Sequence, residues 1–222
     1  MARGRIAENY IRLRQQVPDH VAIVVAAKAR SPQEIAEVIE AGASAIGQNY
    51  VQEAEAAAAA LGELAGKADW HMIGHLQRNK VNKALPLFQV IQTVDSLRLA
   101  EALDERARSP VRVYLEVDIG GEQAKSGAAP SDVKGLLEAA SRLGNLRVEG
   151  LMTMEPYFDD PERARPYFRR MKGLFDELKG LRLPNADLRV LSMGMTHSCR
   201  VAIEEGASMI RVGTAIFGPR DA

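Results

Sequence analysis

Apolar runs alternate along the chain with segments whose apolar positions recur at helical spacing. Val21–Ala27 is continuously apolar and rich in β-branched residues, as expected of a strand buried on both faces of a sheet. A capping box with proline at the first helical position follows at Ser31-Pro32-Gln33-Glu34, and Gly42 is suited to end that helix in the left-handed conformation. The pattern therefore predicts a strand, a short loop and a helix in succession.

The same alternation continues along the rest of the sequence. The predicted strands after the first are Ser44–Gly47, Trp70–Ile73, Phe88–Val94, Val111–Ile119, Leu146–Met152, Leu188–Leu191 and Met209–Val212. The later predicted helices are Tyr50–Leu64, Asn79–Ala84, Leu97–Ala107, Asp132–Leu143, Pro161–Leu178 and Arg200–Glu205, and an extra helix, Arg5–Val17, precedes the first strand. Eight strands separated by helices, without a long linker, predict an α/β fold: a single (β/α)8 TIM barrel that covers residues 1–222 as one domain. A doubly wound open sheet, which normally has fewer strands, is the alternative.

The composition excludes several classes of function. Lys plus Arg and Asp plus Glu both number 29, and a net charge of zero argues against broad nucleic-acid binding. The single cysteine, Cys199, excludes a disulfide framework and favours a reducing, cytoplasmic location. Met1–Gln16 lacks the apolar core of a signal peptide, and Val21–Ala27 is too short to span a membrane. We therefore expect no nucleic-acid partner and no membrane partner.

The active face of such a barrel is formed by the loops that follow the carboxyl ends of the strands. Lys28 directly follows the first apolar run, so burial should lower the pKa of its amine and favour Schiff-base chemistry, although lysines at strand ends more often reach solvent. Small residues that let backbone N–H groups approach a phosphate, or that only make tight turns, follow strands seven and eight: Ser192, Gly194, Gly213 and Thr214. We call these four residues the predicted phosphate cradle. A lysine and a cradle on one face indicate a phosphorylated aldehyde or ketone, either pyridoxal phosphate or the sugar phosphate of a lysine-dependent aldolase.

Arg211 lies in strand eight, two residues before Gly213, so both residues face the same side of the strand. A buried arginine needs a hydrogen-bond acceptor. A pyridine nitrogen and an internal carboxylate such as Glu116 both satisfy that need, and the sequence does not separate them.

Two histidines flank strand three without the spacing of a metal site. His71 and His75 stand four residues apart around a strand, not on a helix. We interpret both as hydrogen-bonded residues at the rim of the barrel.

Four stretches of the chain resemble the pyridoxal phosphate homeostasis protein family, which is similar to the isolated barrel of alanine racemase. They are GQNYVQE at 47–53, WHMIGHLQRNK at 70–80, LSMGM at 191–195 and RVGTAIFG at 211–218. The similarity runs from about Val21 to Gly218, with the motifs in the same order and spacing. It implies a fold-type III barrel that holds pyridoxal 5′-phosphate (PLP) as an internal aldimine.

The resemblance also implies roles for individual residues. Lys28 matches the Schiff-base lysine, Asn49 matches a cofactor-contacting asparagine, and Arg211 matches the arginine near the pyridine ring. The phosphate cradle of the family is matched by Ser192, Gly194, Gly213 and Thr214. Four places depart from the family pattern: Ala26 and Ala27 replace Ser or Thr before the lysine, Gln48 replaces Glu, Asp118 replaces Asn, and Thr196-His197-Ser198 replaces a segment that usually has Ser and then Asp.

The resemblance implies a role in intracellular vitamin B6 homeostasis. We expect a non-catalytic, monomeric carrier that holds PLP and has PLP-dependent apoenzymes as partners. An amino-acid racemase or another PLP-dependent enzyme is the alternative. A racemase needs a second base, which in the alanine racemase family is a tyrosine from a second domain, whereas this sequence ends at Ala222, soon after strand eight. An arginine at the ring nitrogen also makes the pyridine a poorer electron sink, and an aldolase needs an acid or base that the sequence does not place.

Overall fold

A computed structural model describes residues 4–121 and 126–219. Eight strands form a closed barrel in which every neighbouring pair is parallel. They are β1 (Ala22–Ala26), β2 (Ala45–Gln48), β3 (Asp69–Met72), β4 (Val90–Val94), β5 (Val111–Val117), β6 (Leu146–Thr153), β7 (Ala186–Met195) and β8 (Met209–Val212). The barrel closes where β1 pairs with β8, with Val24 opposite Arg211. The predicted TIM barrel is therefore confirmed and the open sheet is wrong.

Helices connect the strands on the outside of the barrel, as the parallel pairing requires. They are α1 (Arg5–Gln16), α2 (Pro32–Glu40), α3 (Val51–Leu61), α4 (Val81–Ala84), α5 (Leu97–Arg106), α6 (Val133–Ala140), α7 (Arg165–Lys179), α8 (Cys199–Glu204) and α9 (Thr214–Phe217). Short 3-10 turns lie at Gly62–Lys67, Arg78–Lys80 and Pro161–Ala164. None of the helices in the described ranges is long and apolar enough to cross a membrane. The prediction of one domain over residues 1–222 extends beyond these ranges and stays a prediction.

Local sequence explains where the helices begin. In α2, the Ser31 hydroxyl accepts a hydrogen bond from the Glu34 backbone N–H at 3.3 Å, and the Glu34 carboxylate accepts one from the Ser31 backbone N–H at 2.8 Å. Both halves of the predicted capping box are therefore formed. Gly42, just after this helix, has φ +102°. The short helix α9 is an element that the sequence pattern did not predict.

One hydrophobic layer lies outside the barrel and a second lies inside it. The larger one lies between the barrel and its helices, and it includes Ile35, Leu103 and Phe168. The smaller one fills the inside of the barrel and consists of Val24, Ala45, Ile73, Val90, Tyr114, Met152 and Met209. Because side chains alternate along a strand, residues two positions from these also face the interior. Those positions include the buried polar side chains His71, Gln92, Glu116 and Arg211, and the buried Ser192 lies two positions after Val190, which packs against the same layer.

The end of β7 differs from the prediction in a way that affects the site. The sequence pattern ends this strand at Leu191, because Ser192 and Gly194 resemble the start of a loop. In the structure β7 continues to Met195: Ser192 pairs with Met152 of β6, and Met195 pairs with Arg211 of β8. The pairing with both neighbours keeps the segment extended. The loop at this corner therefore begins at Thr196.

Candidate functional site

A cavity of about 470 Å³ opens at the carboxyl ends of the strands, between the end of β1, the segment that follows β6, and the loops after β7 and β8. This is the face on which barrels of this type carry their sites. Five of the seven predicted site residues line it: Lys28, Asn49, Arg211, Gly213 and Thr214. The other two, Ser192 and Gly194, lie behind the wall.

Lys28 follows β1 and is half-buried, so its surroundings are less dry than the sequence suggests. Its Nζ lies 5.3 Å from the centre of the Tyr50 ring, a cation–π distance. The next residue, Ala29, has φ +57°, and its backbone N–H donates to the Glu53 carboxylate at 3.1 Å. Ala29 is the one non-glycine residue with positive φ in the described chain. A strained turn that is held by a side chain from α3 therefore fixes the backbone directly after the lysine.

Asn49 follows β2 and reaches the same cavity because two neighbours hold its backbone. A Cβ on Gly74 would lie 2.4 Å from the Asn49 carbonyl oxygen, so only glycine at 74 allows this close approach. The buried Gln48 donates from Nε2 to the Ala27 carbonyl at 3.3 Å. This bond joins the end of β2 to the residue that precedes Lys28.

Arg211 is the most unusual charge in the site. It is 4% exposed, and burial holds the pKa of its guanidinium below the usual value. Its Nη1 donates to the Ser192 hydroxyl at 2.8 Å and its Nη2 to the Thr153 carbonyl at 2.7 Å. No carboxylate of the described residues forms an ion pair with it. Glu116, which the sequence left open as its partner, instead accepts from the Ser126 hydroxyl at 2.9 Å.

Ser192 does not reach the cavity in this structure. Its side chain is fully buried and points into the barrel, because the extension of β7 places it on an inward position. Its hydroxyl donates to Gln92 Oε1 at 2.7 Å and accepts from Arg211. In this arrangement both hydrogen bonds of the Ser192 hydroxyl lie inside the barrel, and the phosphate contact expected of Ser192 stays a prediction.

Gly194 also lies behind the wall, where it allows close packing. It has φ +89°, and a Cβ at this position would lie 2.4 Å from the Ala202 Cβ in α8. Glycine is needed here for backbone conformation and for the approach of α8 to β7.

The wall of the predicted phosphate cradle is formed instead by Gly213, Thr214 and the loop that starts at Thr196. The Gly213 backbone N–H donates to the Thr196 hydroxyl at 3.3 Å, which joins the loops after β7 and β8. A Cβ on Gly213 would lie 2.9 Å from the Ala26 carbonyl oxygen, so a side chain there would crowd β1. In the sequence Thr196 is recognisable only as a departure from the family pattern, because the apolar run of β7 ends at Leu191 although the strand continues to Met195.

Ser198 and Glu155 form a second polar contact beside this loop. The Ser198 hydroxyl accepts from the Met195 backbone N–H at 3.0 Å and donates to Glu155 Oε1. The Ser198 oxygen accepts no hydrogen bond from the backbone of the first turn of α8, so this side chain does not cap the helix. Glu155 is 4% exposed, and no donor among the described residues reaches its second oxygen, Oε2.

The two histidines in and just after β3 have different surroundings, and only one of them lies at the rim. His75 is exposed, and its Nδ1 lies 3.3 Å from Asp95 Oδ2. His71 is buried inside the barrel, where its Nδ1 lies 2.8 Å from Gln92 Nε2. The rim position expected for His71 is therefore wrong, because residue 71 lies on an inward position of the strand.

These features define a class of protein: a (β/α)8 barrel whose carboxyl face holds, in one cavity, a primary amine, two threonines (Thr196 and Thr214) and a buried guanidinium that forms no ion pair with a carboxylate of the described residues. Such a wall suits an anionic ligand with a carbonyl group, since the guanidinium and the threonine hydroxyls can donate hydrogen bonds to negatively charged oxygen atoms and the amine is a nucleophile.

The chain belongs to the family described as alanine racemase, N-terminal domain, whose family model matches residues 2–221, and to the pyridoxal phosphate homeostasis proteins within it. A protein of that name from Aquifex aeolicus is 42% identical over 198 residues, which are 88% of this chain and 85% of the relative. The family resemblance expected from the sequence is therefore confirmed.

Solved structures agree with this assignment. The structure of PipY from Synechococcus elongatus PCC7942 with PLP bound is 35% identical, has a TM-score of 0.88, and is matched over 96% of this chain and 100% of that chain. Alanine racemase from Corynebacterium glutamicum shares the fold, with a TM-score of 0.73 at 21% identity, over 97% of this chain and 60% of that chain.

Proposed function

We propose that this protein binds PLP covalently through Lys28 and acts as a carrier of the cofactor, not as an enzyme. The observation that carries the proposal is the convergence, on one cavity, of Lys28 and the buried Arg211, which forms no ion pair with a carboxylate of the described residues. The name of the relatives and the PLP in the PipY structure support the choice of ligand.

The residues present fit the chemical groups of PLP. The cofactor supplies an aldehyde that an amine can attack with loss of water, an anionic phosphate and a pyridine nitrogen that accepts a hydrogen bond. Lys28 provides the amine. Thr214, with the N–H groups around Gly213, would hold the phosphate, and Gly194 would shape the loop behind them. Arg211 has donors left after its two internal bonds, and one of these would face the ring nitrogen. Asn49 would contact the ring from the end of β2.

A carrier is favoured over a racemase for two reasons. The relatives are named for homeostasis of the cofactor and not for a reaction. A guanidinium at the ring nitrogen cannot give up its proton to the ring, so it leaves the pyridine uncharged and weakens carbanion stabilisation. Within this proposal the protein is a cytoplasmic monomer, residues 1–222 form one domain, and PLP-dependent apoenzymes are the recipients.

The covalent link is tested by borohydride reduction of the PLP-loaded protein, followed by peptide mass analysis. We expect the pyridoxyl group on Lys28. Lys28→Ala should remove the label and the visible absorption band, whereas the matched variant Lys80→Ala, on the 3-10 turn after β3, should keep both. A label on Lys80 in the unmodified chain would contradict the assignment.

The carrier role is tested by two measurements on the loaded protein. It should reactivate a PLP-dependent apoenzyme when it is the sole source of cofactor. When it is incubated with L- and D-alanine, serine, lysine and glutamate, it should show no racemisation, transamination or decarboxylation near the rate of about one per second that is common for enzymes. Turnover at that rate would replace the carrier by the racemase alternative, and failure to reactivate the apoenzyme would limit the role to storage.

A further inference from the structure

A chain of hydrogen bonds runs from the cavity wall into the centre of the barrel. Arg211 Nη1 donates to the Ser192 hydroxyl at 2.8 Å, and that hydroxyl donates to Gln92 Oε1 at 2.7 Å. Gln92 Nε2 lies 2.8 Å from His71 Nδ1. We call Arg211, Ser192, Gln92 and His71 the interior chain. Its members come from β8, β7, β4 and β3, so it crosses the whole barrel.

The donors and acceptors along the interior chain have one consistent direction. Arg211 has only donors, so the Ser192 oxygen must accept from it and use its own hydrogen toward Gln92. The Gln92 amide then presents oxygen to Ser192 and nitrogen to His71. His71 must accept on Nδ1 and carry its hydrogen on Nε2. Any single reversal would place two donors or two acceptors face to face.

The surroundings keep this direction fixed. All four side chains are at most 4% exposed, so water does not compete for their hydrogen bonds. Burial also lowers the pKa of His71 to about 4, which leaves its ring neutral and able to accept at neutral pH. The last acceptor in the chain is therefore always available above that pH.

We propose that Ser192, Gln92 and His71 are positioning residues, which hold the Arg211 guanidinium at a fixed orientation in the cavity wall. This deepens the proposed function, on which it rests, because Arg211 is the group assigned there to the ring nitrogen. Ser192 thus acts on the ring side of the ligand through Arg211 and not on the phosphate. Gln92, which is remote from the cavity wall, becomes a determinant of how the ring is held.

The alternative is that Ser192 turns toward the cavity and binds the phosphate. That movement would break two buried hydrogen bonds at once and leave Gln92 Oε1 without a donor. Leaving a buried polar group unpaired is unfavourable, so the structure supports the positioning role.

The two roles differ in which part of the ligand they affect, so the test compares PLP with pyridoxal, which lacks the phosphate. Ser192→Ala and Gln92→Leu should each weaken the binding of both ligands by about tenfold, leave the ratio of the two affinities within about twofold of the original, and shift the absorption maximum of the bound ligand. Gln33→Leu, at an exposed position on α2, is the control and should change neither affinity nor spectrum. If Ser192→Ala weakens only PLP binding, or Gln92→Leu leaves spectrum and affinities unchanged, the proposal is wrong.

A measurement without ligand keeps this test separate from the proposed function. In the ¹⁵N spectrum of arginine-labelled protein, the Nη groups of Arg211 should show hindered rotation, assigned by their loss in Arg211→Lys. Gln92→Leu should remove the hindrance, and the control Gln33→Leu should keep it. Free rotation in the unmodified protein would refute the proposal whether or not PLP binds. Absence of PLP binding with hindered rotation intact would instead refute the proposed function alone.

Discussion

Gly194→Ala should destabilise the protein through two effects that the structure separates. The first is the backbone: φ at this position is +89°, where a residue with a Cβ is disfavoured by about 1–2 kcal/mol. The second is packing: the added methyl would lie 2.4 Å from the Ala202 Cβ, which forces α8 to move. Inserting a methyl into a packed site of this kind typically costs about 1–3 kcal/mol. Together they predict a loss of roughly 2–5 kcal/mol in the free energy of unfolding.

Gly42→Ala is the matched control for the backbone effect. Its φ is +102°, but no atom lies within 4 Å of the position of its added Cβ. It should therefore lose only the backbone contribution of about 1–2 kcal/mol. Urea unfolding, followed by circular dichroism, measures both variants, and thermal unfolding should place the midpoint of Gly194→Ala lower by roughly 10 °C.

The comparison decides whether Gly194 is a packing glycine. Equal losses in the free energy of unfolding of the two variants would show that α8 moves away from the added methyl without an energetic cost. The close approach of α8 to β7 would then not be the reason why position 194 is a glycine. A fully stable Gly194→Ala that loses affinity for PLP would return the residue to direct contact with the phosphate.

Two further predictions concern pH and the phosphate. His71 has a pKa of about 4 in the folded protein, against 6.5 when exposed, so the unfolded chain binds the proton more readily. The free energy of unfolding should therefore keep the full contribution of the neutral His71 above pH 6.5, and it should fall by up to roughly 3 kcal/mol as the pH drops from 6.5 towards 4. Urea unfolding at several pH values measures this loss, and His71→Gln should lack it; a pH profile shared by both proteins would contradict the burial argument. Thr214→Val should weaken PLP binding by about tenfold while pyridoxal binding stays unchanged, as measured by absorption titration, and an equal loss for both ligands would place Thr214 away from the phosphate.

A site residue could be predicted from the sequence where the end of its strand could be predicted. The predicted bounds of β8, Met209–Val212, agree with the observed ones, because a short segment in which only Arg211 is polar lies between Ser208 and Gly213. Lys28 was found in the same way, as the first polar residue after an apolar run. At the ends of β1 and β8 the hydrophobic pattern changes close to the residue where the strand ends, so the residues that line the cavity there can be predicted from that pattern.

At β7 the apolar run and the strand end at different residues. Ser192 and Gly194 are small or polar, yet both belong to the strand, because hydrogen bonds to β6 and β8 outweigh the local preference of these residues for a loop. The prediction therefore placed the cradle on residues that face inward or pack against α8. Pairing between strands that are distant in sequence also determines the partners of Arg211, and no local pattern contains that information.

The barrel is closed by the pairing between β1 and β8, which we call the seam, and retention of a ligand depends on this pairing. Lys28 follows β1 and Gly213 follows β8, and these two strands are held together by parallel pairing from Ala22 opposite Met209 to Val25 opposite Val212. If this seam opens, Lys28 stays on one side of the opening and Gly213 on the other. A ligand bound to both sides favours the closed seam by mass action and should slow amide hydrogen exchange along β1 and β8 first. Release of the ligand and opening of the seam should then be coupled. The fraction of molecules with an occupied cavity therefore reports how many molecules have the pairing between β1 and β8 formed.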